Sequence, residues 1–239
     1  MQLFLLERHD AHEAMLSKEE SRHCIKVLRH KKGDEIYVTD GVGMAWRGII
    51  ADDHWDATLV HLQERFPEFG EHGKTIRLLF SPLRLRDRQE WMMEKSVELG
   101  VTELIPIRTA RTDKYQALIK PDRIRTILAG ATKQCLRSRI PSLMPEQTIE
   151  EYVSGLSARS GLRMIARSDA TNSLKTFQDE LQSEQDLSLM IGPEGDFTDT
   201  EIKEMQAIGF RLVNLGEQRL RSETAGVYGL SAIKLMLGF

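Results

Sequence analysis

The spacing of apolar residues along this chain changes character near residue 70. Before that point, short runs at 36–39, 46–51 and 56–62 read as strands, separated by Asp40-Gly41 and Asp52-Asp53 turn chemistry. Ahead of them, Ser17 with Glu20 predicts a capped helix running to residue 28. Residues 65–74 hold a proline, glycines and alternating charge, and read as a linker. Beyond it, short apolar runs alternate with helical periodicity. Strands are expected at 76–80, 104–107, 162–166, 187–191 and 212–215, and helices at 87–99, 122–136, 174–180, 200–208 and 223–237. In the second of these helices Ile124, Ile127, Leu128, Ala131 and Cys135 form one inward stripe. Thr198 and Glu201 make a capping box for the helix at 200–208, and Gly209 is a natural residue to end it. The pattern is a small β-rich domain at 1–70 followed by an α/β domain with a largely parallel sheet at 74–239.

Composition narrows the class. The 239 residues are 41% hydrophobic and 29% charged, as expected of a soluble globular protein. No apolar run approaches eighteen residues, and the first ten lack a signal peptide's basic flank, so no membrane span or leader is expected. Cys24 and Cys135 stand far apart without zinc-ligand spacing; free thiols, no metal and a cytoplasmic location are the expectation. Net charge is −3, but residues 74–145 carry fifteen Lys/Arg against seven Asp/Glu, between two acidic flanks. That excess points to a phosphate-binding surface, or else to a solvated face. Gly73-Lys74-Thr75 imitates the end of a P-loop, but Glu68 stands where the first glycine is required and Thr75 opens a strand, so nucleotide hydrolysis is excluded.

The apolar runs at 187–191 and 212–215 each end at a glycine-bearing loop and then a helix. Gly192, Gly195 and Gly216 let backbone approach a ligand with no Cβ between them. I-G-P-E-G (191–195) and L-G-x-x-x-L-R-S-E-T-A (215–225) do not form a dinucleotide fingerprint. The pair resembles the signature of the SPOUT-type RNA methyltransferases, and within them the bacterial 16S ribosomal RNA uracil-N3 methyltransferase family. The resemblance extends over essentially the whole chain. It implies a PUA-like β-barrel RNA-binding domain, then a SPOUT α/β domain whose last strands thread a trefoil knot. It also implies S-adenosyl-L-methionine as methyl donor, 16S ribosomal RNA of the small subunit as partner, and a homodimer. Ribose 2′-O methylation by another SPOUT enzyme, or a non-catalytic RNA-binding or ribosome-assembly module, are the alternatives.

On this resemblance the cofactor is cradled by Met190, Ile191, Gly192, Glu194 and Gly195 on one loop. The other loop contributes Leu215, Gly216, Leu220, Arg221, Glu223, Thr224 and Ala225. Arg221 is the candidate for stabilising charge on the uracil, or it pairs with Glu223 or Glu194. Glu223 and Thr224 either fix the loop or touch ligand. His23, Lys26 and Arg29 match an H-x-x-x-V-L-R segment of the barrel domain and are candidates for RNA, His23 being equally readable as a helix histidine. Arg86 and Arg88 follow the first strand of the second domain, although Leu85 and Arg86 stand where the family often has Lys-Gly. Lys95 and Glu98, three apart, suit an intrahelical ion pair. Gln134, Arg137 and Arg139 match a Q-[SC]-x-R-x-x-x-P element and are candidates for substrate contact, or the arginines cover a helix end. Arg167 lies at the carboxyl end of a strand, where open α/β sheets bind ligands. Lys133 replaces a frequent glutamate, and Asp196 a frequent glycine.

Overall fold

The computed structural model describes residues 1–155 and 161–239, and these divide into two compact units. The first comprises Met1–Glu71 together with Leu128–Ile140. Its five strands, β1 (Leu3–His9), β2 (Glu13–Leu16), β3 (Glu35–Thr39), β4 (Met44–Asp52) and β5 (Leu59–Pro67), close into a barrel in the order β1-β2-β5-β4-β3. Closure leaves no free sheet edge. β1 and β2 have no counterpart in the expected elements: residues 3–6 are a continuous apolar run, without the alternation that marks a half-buried strand. They turn back on each other because Asp10 Oδ1 accepts the N–H groups of His12 and Glu13, both at 2.8 Å. β5 starts three residues later than expected and takes in the first residues of the supposed linker, because its outer half is polar and exposed.

Helix α1 (Lys18–Arg22) starts where expected, with Ser17 Oγ accepting from Glu20 N at 3.3 Å, and continues as a wider turn over His23–Val27. Glu20 does not reach back to close a capping box. Its carboxylate instead takes the Leu5 N–H and the Lys133 ammonium, which explains the lysine at 133. The barrel core gathers Phe4, Leu16, Cys24, Val38 and Val60. Burial pushes the Cys24 thiol up to about 12, so it packs as a small apolar residue and not as a nucleophile.

The second unit comprises His72–Ile127 and Pro141–Phe239. It holds β6 (Thr75–Phe80), α2 (Arg86–Glu98), β7 (Glu103–Arg108), the first half of α3 (Pro121–Gln134), β8 (Ser142–Leu143), β9 (Gln147–Thr148) and α4 (Ile149–Gly155). β10 (Leu162–Ala166), α5 (Gln178–Ser183), β11 (Asp186–Ile191), α6 (Asp199–Ala207), β12 (Phe210–Val213) and α7 (Ser222–Leu237) follow. The sheet is wholly parallel, ordered β12-β10-β11-β6-β7-β8 with β9 also on β7. The expected α/β architecture is thus present, with β8, β9 and α4 added; two-residue strands are too short to leave a periodic signal. The helix expected at 174–180 is a 3-10 turn over Leu174–Phe177 that passes into α5.

Central strands are apolar on both faces, as a sheet covered by helices requires; Leu78, Leu189 and Met164 are all buried. α7 lies close against them because it is small where it crosses. A Cβ on Gly229 would stand 2.6 Å from Leu189 Cδ2, and one on Gly226 3.0 Å from Met92 Sδ. The Thr198–Glu201 capping box is present at α6, and Gly209 ends that helix at φ +91°.

Candidate cofactor cavity and its surroundings

β10, β11 and β12 end side by side at Ala166, Ile191 and Val213, and a cavity of about 580 Å³ opens beyond those ends. This is the place where parallel sheets expose loops for ligands, and the volume lies in the usual range of small-molecule sites. Ile191, Gly192, Pro193, Glu194 and Asp196 form one wall. Leu215 through Ser222, with Ala225, form the opposite one, and Ala166, Arg167 and Ser168 close the base.

The first wall is held from several sides. Phe197 packs beneath it so closely that a Cβ on Gly192 would lie 2.8 Å from the ring. Ser222 Oγ donates to Gly192 O at 2.9 Å, and Arg111 Nη1 donates to Gly195 O at 2.9 Å. Asp196, where a glycine is frequent, adopts φ +61°, the left-handed region that glycine enters freely and aspartate tolerates. Its Oδ1 accepts from Phe197 N at 2.8 Å, and its N–H reaches Pro193 O at 3.0 Å, so it forms the turn. The second wall begins two residues earlier than expected. Asn214 leaves the ladder and uses its side chain to donate to Ser168 O and Ala170 O and to accept from Gly216 N at 2.7 Å. Gly216 sits at φ +134°.

Of the expected cofactor residues, Ile191, Gly192, Glu194, Leu215, Gly216, Leu220, Arg221 and Ala225 line this cavity. Met190 is fully buried in the core behind it, Gly195 faces Arg111, and Thr224 is exposed on the first turn of α7. Glu223 does not line it and does not meet Arg221; it pairs with Arg88 at 3.4 Å, joining α7 to α2. Of the two expectations for Glu223 the contact matches the structural one, and it leaves Arg88 engaged with a carboxylate. The Arg221 guanidinium is exposed at the rim and makes no hydrogen bond or ion pair with any described residue. Arg167 lines the base and is held by Asp169 through two bonds of 2.8 and 2.7 Å. Asn214, Ser222 and Arg111 were not singled out in the sequence. An Asn two residues before Gly after an apolar run is a readable turn signal, whereas nothing near Arg111 marks its reach across 84 positions.

The other expected RNA residues are scattered. In the first unit, His23 Nε2 lies 2.9 Å from Gln2, Lys26 stands over the Trp55 ring at 4.9 Å, and Arg29 is exposed at φ +64°. Gln134 is exposed. Arg137 is not available to RNA: its side chain is 5% exposed and bonds the equally buried Glu71 at 2.8 and 3.1 Å. A buried guanidinium keeps its charge only with such a partner. Arg139 pairs with Glu68 and donates its N–H to Glu71. Arg86 is exposed at the start of α2. Lys95 bonds both Glu94 and Glu98, which raises its ammonium above the ordinary lysine value. Among the described residues no group of acidic, histidine or cysteine side chains could hold a metal, and no helix is long and apolar enough to cross a membrane.

Comparison with known proteins bears on this geometry. A family model described as an RNA methyltransferase domain matches residues 71–234, and one described as an RNA methyltransferase PUA domain matches residues 16–54. The ribosomal RNA small subunit methyltransferase E of Synechocystis is 29% identical over 214 residues, covering 89% of this chain and 69% of its own length. A probable rRNA-methyltransferase from Porphyromonas gingivalis superposes with a TM-score of 0.87 at 28% identity, over 100% of this chain and 99% of its own. A protein described as a methyltransferase, from Legionella pneumophila and crystallised with the cofactor SAM, gives 0.81 at 26% identity, over 98% and 96%.

Proposed function

This chain belongs to the RNA methyltransferase family, and on that premise we propose that it transfers a methyl group from S-adenosylmethionine to N3 of a uridine in 16S ribosomal RNA. The observation that carries the proposal is the cavity at the ends of β10, β11 and β12, with an arginine at its rim that pairs with no described residue. The two signature loops form its facing walls. The cavity suits the donor: its size is right, backbone groups on two glycine loops offer donors and acceptors, and Ile191, Leu215 and Leu220 offer apolar contact. Relatives named as ribosomal RNA small subunit methyltransferases support the RNA class.

When bound, S-adenosylmethionine supplies a methyl carbon already activated by sulfonium charge, so the residues around it have only to orient and stabilise. The walls fix the donor, and alignment of this kind is worth roughly 7–11 kcal/mol in the best cases. The acceptor N3 becomes nucleophilic as its proton leaves to solvent water, and negative charge then gathers on the uracil oxygens. In this reading Arg221, which meets no carboxylate among the described residues, supplies the positive charge for it, a contribution of about 3 kcal/mol.

The chain acts as a homodimer in this reading, in the cytoplasm and with its last strands knotted. Support for the dimer comes from large apolar side chains left in water on α2 and α7, Trp91, Tyr228 and Leu235, Leu235 by 83%; apolar surface of this kind is what an interface covers. Incubation with labelled S-adenosylmethionine and small subunits lacking the modification, followed by digestion, tests the proposal. Label in 3-methyluridine is expected. Label on a ribose would overturn the chemistry, and none would overturn the activity.

A further inference from the structure

The amino-terminal stretch is acidic as a whole, yet its cations are not spread out. Residues 1–73 hold nine Lys/Arg against fourteen Asp/Glu, and six of the nine (Lys18, Arg22, Lys26, Arg29, Lys31, Lys32) fall within fifteen residues, where only Glu19 and Glu20 oppose them. Glu20 is turned inward onto Leu5 N and Lys133, so it does not offset them at the surface. Beside this basic stretch stands Trp55, 37% exposed at the tip of the turn between β4 and β5. Lys26 Nζ lies 4.9 Å and Lys18 Nζ 5.7 Å from its ring centroid, and the His54 ring lies 6.3 Å away with its plane inclined by 27°.

The turn is built to hold that ring out. His54 O accepts from Ala57 N at 3.2 Å and from Thr58 Oγ1 at 3.1 Å. Thr58 N donates to Ser21 Oγ at 2.9 Å and Leu16 N donates to Thr58 O at 3.1 Å, so the aromatic turn and the basic helix are one braced piece. A large apolar ring kept in water on an ordered turn is the informative kind of exposure. Flanking ammonium groups select a partner that brings both a flat π-face and negative charge. An unpaired nucleotide brings both, and single-stranded nucleic acid is held by this combination of aromatic platform and cations.

We propose that Trp55 is a stacking platform for an unpaired base of the RNA, with Lys18 and Lys26 swinging from the ring onto the phosphates on either side of it. The platform rests on the reading of this chain as an RNA methyltransferase, and it supplies a contact remote in sequence from the cavity loops. A base stacked on indole gains more than a water-exposed lysine does there, and the long lysine stems give the ammonium groups the reach to move.

The test uses the whole chain and a fluorescently labelled uridine-rich single-stranded RNA of about ten nucleotides, with a blunt-ended RNA duplex of two separate strands as the contrast. Trp55→Ala is expected to weaken single-strand binding about tenfold, Trp55→Phe to restore most of it, and neither to change duplex binding. Lys18→Gln with Lys26→Gln is expected to flatten the dependence of affinity on salt by about one unit of slope. Melting temperatures of the variants report whether the barrel has stayed folded. Equal affinity of the folded Trp55→Ala variant and the wild type for the single strand would overturn the platform, as would equal losses on both RNAs. Transfer of label by the wild type to small subunits is read separately: binding that depends on Trp55 without methylation leaves the platform standing and removes the proposed activity, and methylation without that dependence does the reverse.

Discussion

The two walls of the cavity are made differently. The wall at 191–197 is clamped by Ser222, Arg111, a buried aromatic ring and a left-handed Asp196, so its backbone has one arrangement. The wall at 214–221 is anchored at its start by Asn214, and from Glu217 to Arg219 it is exposed, with one long bond of 3.4 Å from Arg219 to Glu194 O. A clamped wall gives a donor a fixed seat with little ordering left to do on binding. A wall held by Asn214 at its start and by Ser222 at its end, but exposed between them, can shift in its middle as a large, charged acceptor arrives. On that difference we propose a division of labour within the cavity: both walls touch the donor, the first fixes its position, and the second also receives the acceptor.

The sharpest way to break that division is at Arg221. Its replacement by alanine is expected to lower kcat by about 10²-fold or more, the usual cost of a lost transition-state cation or donor. Donor affinity by calorimetry is expected to change less than twofold. Equal losses in donor affinity and kcat would place Arg221 with the donor. Next in size is Gly192→Ala. The new Cβ would meet Phe197, which cannot move without disturbing the core beneath it, and overpacking of this kind costs about 1–3 kcal/mol. Donor affinity and melting temperature are both expected to fall; a variant as stable and as tight as the wild type would mean that the first wall yields.

The residues that carry these predictions differ in how far the sequence exposed them. Strand and helix periods revealed the α/β order, and the two glycine loops marked both walls, because period and glycine are local signals. Pairing over long sequence distances left no local trace. Arg137 and Glu71 are 66 positions apart, and only burial shows that this arginine serves the fold and not RNA. The basic middle third is the same lesson on a larger scale. Arg77, Arg88, Arg108, Lys133, Arg137 and Arg139 all pair with carboxylates lying outside residues 74–145. Composition counts charges; it does not count pairs. The reverse error hid the barrel's basic stretch, since an acidic average concealed six clustered cations.

Asn214 tests the anchored start of the second wall. Alanine there removes two donated bonds and one accepted one, each worth about 1 kcal/mol net at a partly buried site. The second wall then loses its start, and kcat/KM for the RNA is expected to drop several-fold. Donor affinity is expected to fall less, since the first wall keeps its own clamps. If the donor is lost first, the second wall fixes it as well and the proposed division fails.

The smallest effect concerns the cavity base. Two hydrogen bonds from Arg167 hold the Asp169 carboxyl below the ordinary aspartate value. A carboxyl whose value is depressed by folding contributes stability that is complete above the unfolded value of about 3.9, and that is lost as pH falls through the lower folded value. The pair is largely exposed on the aspartate side, so solvent screens it and the contribution is small. Wild type is therefore expected to be slightly more stable than Asp169→Asn from pH 7 down to about 5, with the gap in denaturation midpoints closing below pH 4. Above that window, donor affinity tells whether the pair does more than stabilise. If Arg167 needs Asp169 to keep its place at the base of the cavity, the variant binds donor more weakly at pH 7 although its fold is intact. If affinity is unchanged there, the base of the cavity is a floor for the two walls and takes no part in holding the donor.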